Sequence, residues 1–360
     1  MCVSYVATSC MRRWAPKWGL VDQPAARKVH LNPTPLGGGI GIWLGVVSPL
    51  LAIEILIRVI DALGSVPGFI PEQIAVHLSG VSYRSGLLWS VIGGGTLLSV
   101  MGLIDDLRDL PWLPRLGVQF CVAFGLVFAG VRASIFDTLP GMWPVVGYIV
   151  TAFWIIGLIN SFNFLDNMDG LSSGIAMIAS AVAAIIMLTA TSEPHWLVGG
   201  VFLILVGSLF GFLCHNWHPA KIFMGDSGSY FIGLMLASMT VLGTFYTSGS
   251  GSGHVILAPL CILAIPLYDF CSVMIIRIKE GRSPFRPDKS HFSHRLVDLG
   301  MKPKNAVLTI HLATLTTGLG GILLYKVPGW AEACYVIAFI ACVLAIVAIL
   351  ETAGRKKKNV

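Results

Sequence analysis

Ten apolar runs of about 20 residues each, separated by short polar gaps, organise this sequence: roughly 36–57, 86–104, 116–133, 144–162, 171–190, 196–215, 228–247, 254–276, 305–326 and 331–351. A run of that length crosses the hydrocarbon of a bilayer as a helix, because backbone polar groups in lipid must be satisfied within the segment. The chain is therefore expected to be all-α, a polytopic integral membrane protein with about ten transmembrane helices and its chemistry in cytoplasmic loops. Only 12% of its 360 residues are charged, against about 25% in soluble domains, which excludes a large soluble domain.

The placement of Lys and Arg orients the bundle. With the N-terminal segment inside, the outer loops hold only Arg58, Arg84, Arg132 and Lys326 of the 24 basic residues. The expected location is the inner (cytoplasmic) membrane, multi-pass, with the active loops and C-terminus cytoplasmic. A cytoplasmic N-terminal segment 1–35 precedes a membrane domain 36–351 and a basic tail 352–360. The net charge of +6 serves topology and contact with anionic lipid or anionic substrate; it does not suggest nucleic acid. Eight cysteines without a CxxC pair exclude a zinc or disulfide framework. Residues 1–11 lack the basic-then-apolar order of a cleavable signal peptide.

Acidic residues concentrate in the inner gaps. Asp105 and Asp106 end the second run, and adjacent carboxylates repel unless a cation sits beside them. Mg²⁺ is the natural candidate at an interface, since it takes a few carboxylates plus substrate oxygens; Mn²⁺ is the alternative. Asn163, Asp166 and Asp169 recur at steps of three, on one face of a helical turn. One of these acids could equally cap the run that starts near Leu171. Asp226, in FMGDSGS, precedes another helix start that Ser227 or Ser229 can cap, and Lys221 lies where it could meet a phosphate. SPFRPDKSHFSHRL (283–296) holds His291, His294 and Arg295 among further basic residues, a composition suited to an anionic phosphate. Taken alone, it reads equally as a topogenic loop. Lys28 and His30 precede a Gly triplet at the start of the first run, and Asp269 lies within the eighth. Helix N-termini at this face offer free N–H groups to phosphate. Together these features read as a metal-assisted pyrophosphate site.

In order and spacing, GLVDQPAARKVHLNPTPLGGG (19–39), GLIDDLRDL (102–110), NSFNFLDNMDGLSSG (160–174), HPAKIFMGDSGS (218–229) and SPFRPDKSHFSHRL (283–296) resemble one family. That family is the polyprenyl-phosphate N-acetylhexosamine-1-phosphate transferases, which also include the phospho-MurNAc-pentapeptide translocase. The opening motif is similar to the branch using UDP-GlcNAc. The resemblance implies transfer of a sugar 1-phosphate from a UDP-N-acetylhexosamine to undecaprenyl phosphate, with UMP leaving. It places Asp105 and Asp106 on the paired acids, one proposed to activate the lipid phosphate, and Asp226 on a magnesium ligand. Asn163, Asp166 and Asp169 fall on the nucleotide-recognition stretch, and His291, His294 and Arg295 on the basic loop facing the sugar nucleotide. Lys221, Lys28 and His30 are further substrate-binding candidates, and a homodimer is compatible.

This chain departs from the family twice. Ser293 replaces the middle histidine of a His-x-His-His run, and about eleven mildly apolar residues precede Arg12 where relatives carry a full span. The second departure leaves either ten spans or a start placed late. Phospho-MurNAc-pentapeptide transfer is the alternative reaction. A non-enzymatic transporter is the alternative class, disfavoured because no internal repeat is visible and only Glu54 and Asp269 lie inside runs, away from their end residues.

Overall fold

The computed structural model describes residues 1–24, 33–64, 78–133, 136, 141–191, 194–243, 253–284 and 288–355. Thirteen α-helices follow one another along these residues: α1 (Cys2–Trp14), α2 (Gly38–Leu63), α3 (Leu78–Arg108), α4 (Trp112–Ala129), α5 (Trp143–Leu165), α6 (Leu171–Ile185), α7 (Trp196–Asn216), α8 (Gly225–Gly243), α9 (Ala258–Ile262), α10 (Ala264–Lys279), α11 (Phe292–Asp298), α12 (Pro303–Leu324) and α13 (Trp330–Arg355). Eight of them are long and apolar enough to cross a membrane, and α9 with its preceding turn and α10 make a ninth, broken span bent by 68°. The protein is a multi-pass, all-α membrane protein, as its apolar runs imply.

The bend in the ninth span has a local cause. Pro266 sits in the first turn of α10, and a proline lacks the N–H of the helical ladder and crowds the carbonyl four residues back. The apolar run 254–276 is continuous in hydropathy, so its sequence reads as one straight span.

Helix α8 lies at the centre of the bundle. It packs most extensively against α3 and α5 and also against α2, and nearly every one of its side chains is buried. Its residues are small where its neighbours come closest. A Cβ on Gly233 would stand 2.6 Å from the Ile159 Cα of α5, and one on Gly102 of α3 would stand 2.4 Å from the Asp226 carbonyl carbon. Without a hydrophobic driving force between helices in lipid, such close approach supplies the attraction through van der Waals contact. The same small, hydroxyl-bearing residues make α8 less apolar than a lipid-facing span, which is why it differs from the eight.

Helix α1 comes from the segment expected to lie outside the membrane domain, yet it packs along α2 and α7. Ser4 donates to the Ser208 carbonyl at 2.7 Å, and Ser208 donates to the Ile42 carbonyl at 2.8 Å. These bonds staple three helices in series. A two-residue antiparallel pair, Val21–Asp22 with Thr34–Pro35, follows α1 and carries the chain to α2. At the far end, α13 leaves Tyr335, Phe339, Ile346 and Ile349 exposed, as a lipid-facing helix does. The segments PEQIAVHL (71–78) and SGSGSG (248–253) fall largely outside the described residues.

Candidate active site

The polar gaps converge at one end of the bundle on an open cavity of about 780 Å³, within the usual size range of small-ligand pockets. Its lining comes from five separate stretches of chain, 21–36, 105–115, 163–169, 216–226 and 277–294. Among the described residues, eight aspartates line it against three arginines, Arg108, Arg115 and Arg277. That imbalance makes the cavity a poor receptor for an anion unless a cation accompanies it.

Backbone docking builds the central wall. The Phe223 N–H donates to the Pro35 carbonyl at 2.8 Å, and the Gly38 and Gly39 N–H groups donate to the Phe223 and Met224 carbonyls at 2.9 Å each. The Gly triplet at the start of α2 is thus what lets segment 218–226 lie directly on it. A Cβ at Gly38 would meet the Phe223 oxygen at 2.8 Å.

The N-terminus of α8 is where the acids meet. Asp106, from the end of α3, accepts the Asp226 N–H at 3.0 Å through Oδ1, and also the Ser227 N–H. Asp166, following α5, accepts the Gly225 N–H. These orphan N–H groups and the positive end of the helix dipole stabilise carboxylates there. The sequence pointed to Ser227 or Ser229 as the cap. Instead the cap arrives from other helices, and the Ser229 hydroxyl donates to the Asp226 carbonyl at 3.3 Å. The N–H groups expected to be open to phosphate at this terminus are accordingly occupied.

The adjacent aspartates 105 and 106 have different environments. Asp105 is engaged at both oxygens: Oδ1 accepts the Leu110 N–H at 2.7 Å, and Oδ2 pairs with Arg115 Nη1 at 2.6 Å. Asp106 keeps Oδ2 buried with no hydrogen-bond partner among the described residues. Asp226 receives the Asn163 amide at 2.7 Å on Oδ1 and the Tyr230 hydroxyl at 3.3 Å on Oδ2, with Arg115 3.6 Å away. Burial, and then the charge of Asp106, push the Asp166 carboxyl up to about 7 against the effect of the Gly225 N–H. Asp22 adds its charge to the same group.

These groups fit a hard divalent cation. A buried carboxylate oxygen without a partner, beside three further carboxylates and one arginine already paired to Asp105, is an uncompensated negative site. Among the described residues, no three His, Cys, Asp or Glu side chains form a ready-made metal-binding group. Magnesium held by one or two carboxylates, with water and substrate oxygens completing its shell, requires none.

The remaining candidates divide. Asp169 lines the cavity and accepts from His218 Nδ1 at 2.8 Å and from the Ala220 N–H at 3.0 Å. It does not cap α6; the Gly170 N–H there donates to Asn216 Oδ1 at 3.0 Å. His291 and His294 form another part of the cavity wall. Burial, then His291 and Lys289, push His294 down to about 4. Arg295 is buried behind that wall, paired with Glu351 of α13 at 2.9 Å, and does not line the cavity. Lys221 is exposed and does not line it either. Lys28 and His30 lie outside the described residues.

Several lining groups were not singled out from sequence. Asp22 sat inside the GLVD motif as a lone acid in a polar segment, which reads as solvated. Arg277, at the end of α10, is fully buried, pairs with Asp288 at 3.1 Å and lies 5.0 Å from the Phe164 ring centroid. Burial works against ionisation of Asp288, but Arg277 and the Ser290 N–H and hydroxyl outweigh it and hold that carboxyl at about 2. Asn216, and Tyr230, which does not itself line the cavity but bonds to Asp226, gave no signal, because their partners are distant in sequence.

Comparison with known proteins places this arrangement in context. The family described as glycosyl transferase family 4 matches residues 88–244. The chain is 31% identical over 329 residues to the probable undecaprenyl-phosphate N-acetylglucosaminyl 1-phosphate transferase of Bacillus subtilis (strain 168), covering 90% of this chain and 83% of that one. It is 33% identical over 333 residues to the decaprenyl-phosphate N-acetylglucosaminephosphotransferase of Mycolicibacterium smegmatis, covering 86% and 76%. It is 31% identical over 333 residues to the undecaprenyl-phosphate alpha-N-acetylglucosaminyl 1-phosphate transferase of Escherichia coli (strain K12), covering 89% and 81%.

Proposed function

The chain belongs to glycosyl transferase family 4, and from that premise we propose that it transfers N-acetylglucosamine 1-phosphate from a UDP-sugar to undecaprenyl phosphate. The lipid phosphate oxygen attacks the β-phosphorus of the donor. A new P–O bond forms there as the P–O bond to the α-phosphate breaks, and UMP leaves with that electron pair. The product is a lipid-linked pyrophosphoryl sugar. A ready-made anion does the attacking, so the site needs charge neutralisation and alignment more than a strong base.

The observation that carries this reading is the convergence of Asp106, Asp166 and Asp226 on the N-terminus of α8, at the wall of a cavity open at one end of the bundle. Asp106 and Asp226 would hold Mg²⁺, which when bound offsets charge on the diphosphate and on the departing UMP. Asn163 and Tyr230 orient the Asp226 carboxylate, and Asp105 with Arg115 fixes the end of α3 against the start of α4. Asp169, Asn216 and Phe223, which line the cavity, would receive the nucleotide, while His291, His294 and Arg277 would face the phosphates. The cavity opens to the cytoplasm in this reading, where a soluble sugar nucleotide is available.

The test is transfer of radiolabel from UDP-GlcNAc to undecaprenyl phosphate by the purified protein, with Mg²⁺ or with EDTA. Lipid-linked label with stoichiometric UMP release, abolished by EDTA, is the expected result. No product from any UDP-N-acetylhexosamine would defeat the reading.

A further inference from the structure

The part of the cavity lined by His291 contains a second, deeper relationship. Asp269 in α10 is completely buried, and both its oxygens are used. Oδ2 meets His291 Nδ1 at 2.9 Å, and Oδ1 accepts the Phe292 N–H at 2.6 Å. A carboxylate can only accept, so Nδ1 carries the proton. His291 lines the cavity, and with Nδ1 turned to Asp269 the ring edge bearing Nε2 is the one presented to it. Phe164 fixes the ring from the side, edge to face with centroids 5.6 Å apart.

The support continues behind Asp269. The Ser272 hydroxyl donates to the Asp269 carbonyl at 3.1 Å and receives Arg295 Nη2 at 2.9 Å. Arg295 in turn pairs with Glu351, which also accepts from the Tyr268 hydroxyl at 3.0 Å. A charge buried this deeply is costly unless every partner is in place, so the network holds Asp269 in one orientation.

We propose that Asp269 is a positioning residue of the transfer reaction, acting through His291: it fixes the imidazole tautomer and aims Nε2 at the diphosphate of the donor. This rests on the transferase reading. Which ring nitrogen is protonated is set by the bond the other makes, and here the carboxylate leaves Nε2 alone for the substrate. Asp269 itself touches no substrate.

Two measurements test it. In steady-state transfer, Asp269→Asn should lower kcat at least about tenfold with KM for undecaprenyl phosphate unchanged. His291→Gln should fall at least as far, and the double variant should be no slower than His291→Gln alone, because two residues acting as one unit are not additive. Histidine-selective nitrogen-15 spectra, with His291 assigned by its loss in His291→Gln, should show Nδ1 protonated in the unmodified protein. That readout does not depend on a variant turning over. An Asp269→Asn rate within twofold of the original, a double variant about tenfold below His291→Gln, or an unprotonated Nδ1 would each overturn the proposal. Unmodified protein that transfers normally while Asp269→Asn is indifferent defeats this inference alone; unmodified protein that transfers nothing defeats the functional reading and this inference with it.

Discussion

Asp106 accepts the backbone N–H of Asp226 at 3.0 Å, joining the end of α3 to the start of α8 across 120 residues of chain. Its neighbour Asp105 is held by Arg115 and the Leu110 N–H instead, with the Tyr230 hydroxyl of α8 at 3.4 Å. One peptide step therefore separates a carboxylate that caps a helix from one that braces a turn.

The two acids should consequently fail in different ways. Asp106→Asn keeps an acceptor for the Asp226 N–H but replaces the unpartnered oxygen, so turnover should fall about 100-fold or more with little change in melting temperature. Asp105→Asn weakens a charge-assisted bond and should cost about 2 kcal/mol, visible as a lower melting temperature in detergent. Parallel assays of rate and thermal unfolding separate the two.

Gly225→Ala should damage both stability and turnover. Gly225 has φ +73, a conformation that costs a residue with a Cβ about 1–2 kcal/mol. The added carbon would also stand 2.4 Å from Asp106 Oδ2. The expected signature is a lower melting temperature together with a weaker response of that temperature to Mg²⁺.

Gly102→Ala tests the packing that brings the acids together. Its Cβ would collide with the Asp226 carbonyl carbon at 2.4 Å, and overpacking of this kind costs about 1–3 kcal/mol. Thermal unfolding should register the loss, and transfer should fall because α3 and α8 can no longer align Asp106 with Asp226.

Two groups outside the spans give opposite pH dependences to the cation-free protein. The Asp166 carboxyl is pushed up to about 7 from 3.8, so the folded chain binds a proton that the unfolded chain has released. Its contribution is present below 3.8 and is lost as pH rises through 7. His294 is pushed down to about 4 from 6.5, so its contribution is present above 6.5 and lost as pH falls toward 4. In Asp166→Asn, melting temperature in EDTA should therefore fall more steeply on acidification from 6.5 to 4 than in the unmodified protein. In His294→Gln it should fall less steeply.

Glu351→Gln probes the tie between α13 and the histidine wall. Glu351 and Arg295 are each 6% exposed, and removing one member of a buried ion pair costs about 3–5 kcal/mol. A loss of that size in chemical unfolding, with reduced transfer, is the expected outcome. An unchanged unfolding midpoint would show that the ion pair adds nothing to the packing of α13 on α12.

The sequence by itself determined the class of fold and the gaps between runs in which the acids gather. Both are local properties: an apolar run of bilayer length has one stable form in lipid, and acids such as Asp106, Asp166 and Asp226 can lie cheaply only in the gaps between runs. It also marked His291 and Asp269 separately, without relating them. What only the tertiary structure decided is which of these groups face one another. That Asp106 rather than Ser227 caps α8, that Asp105 is spent on Arg115, that Arg295 turns away to Glu351 and that Asp22 joins the acids all depend on how closely helix ends approach. That distance is set by small residues of α3 and α8 meeting across more than a hundred positions, and no periodicity within either segment encodes it.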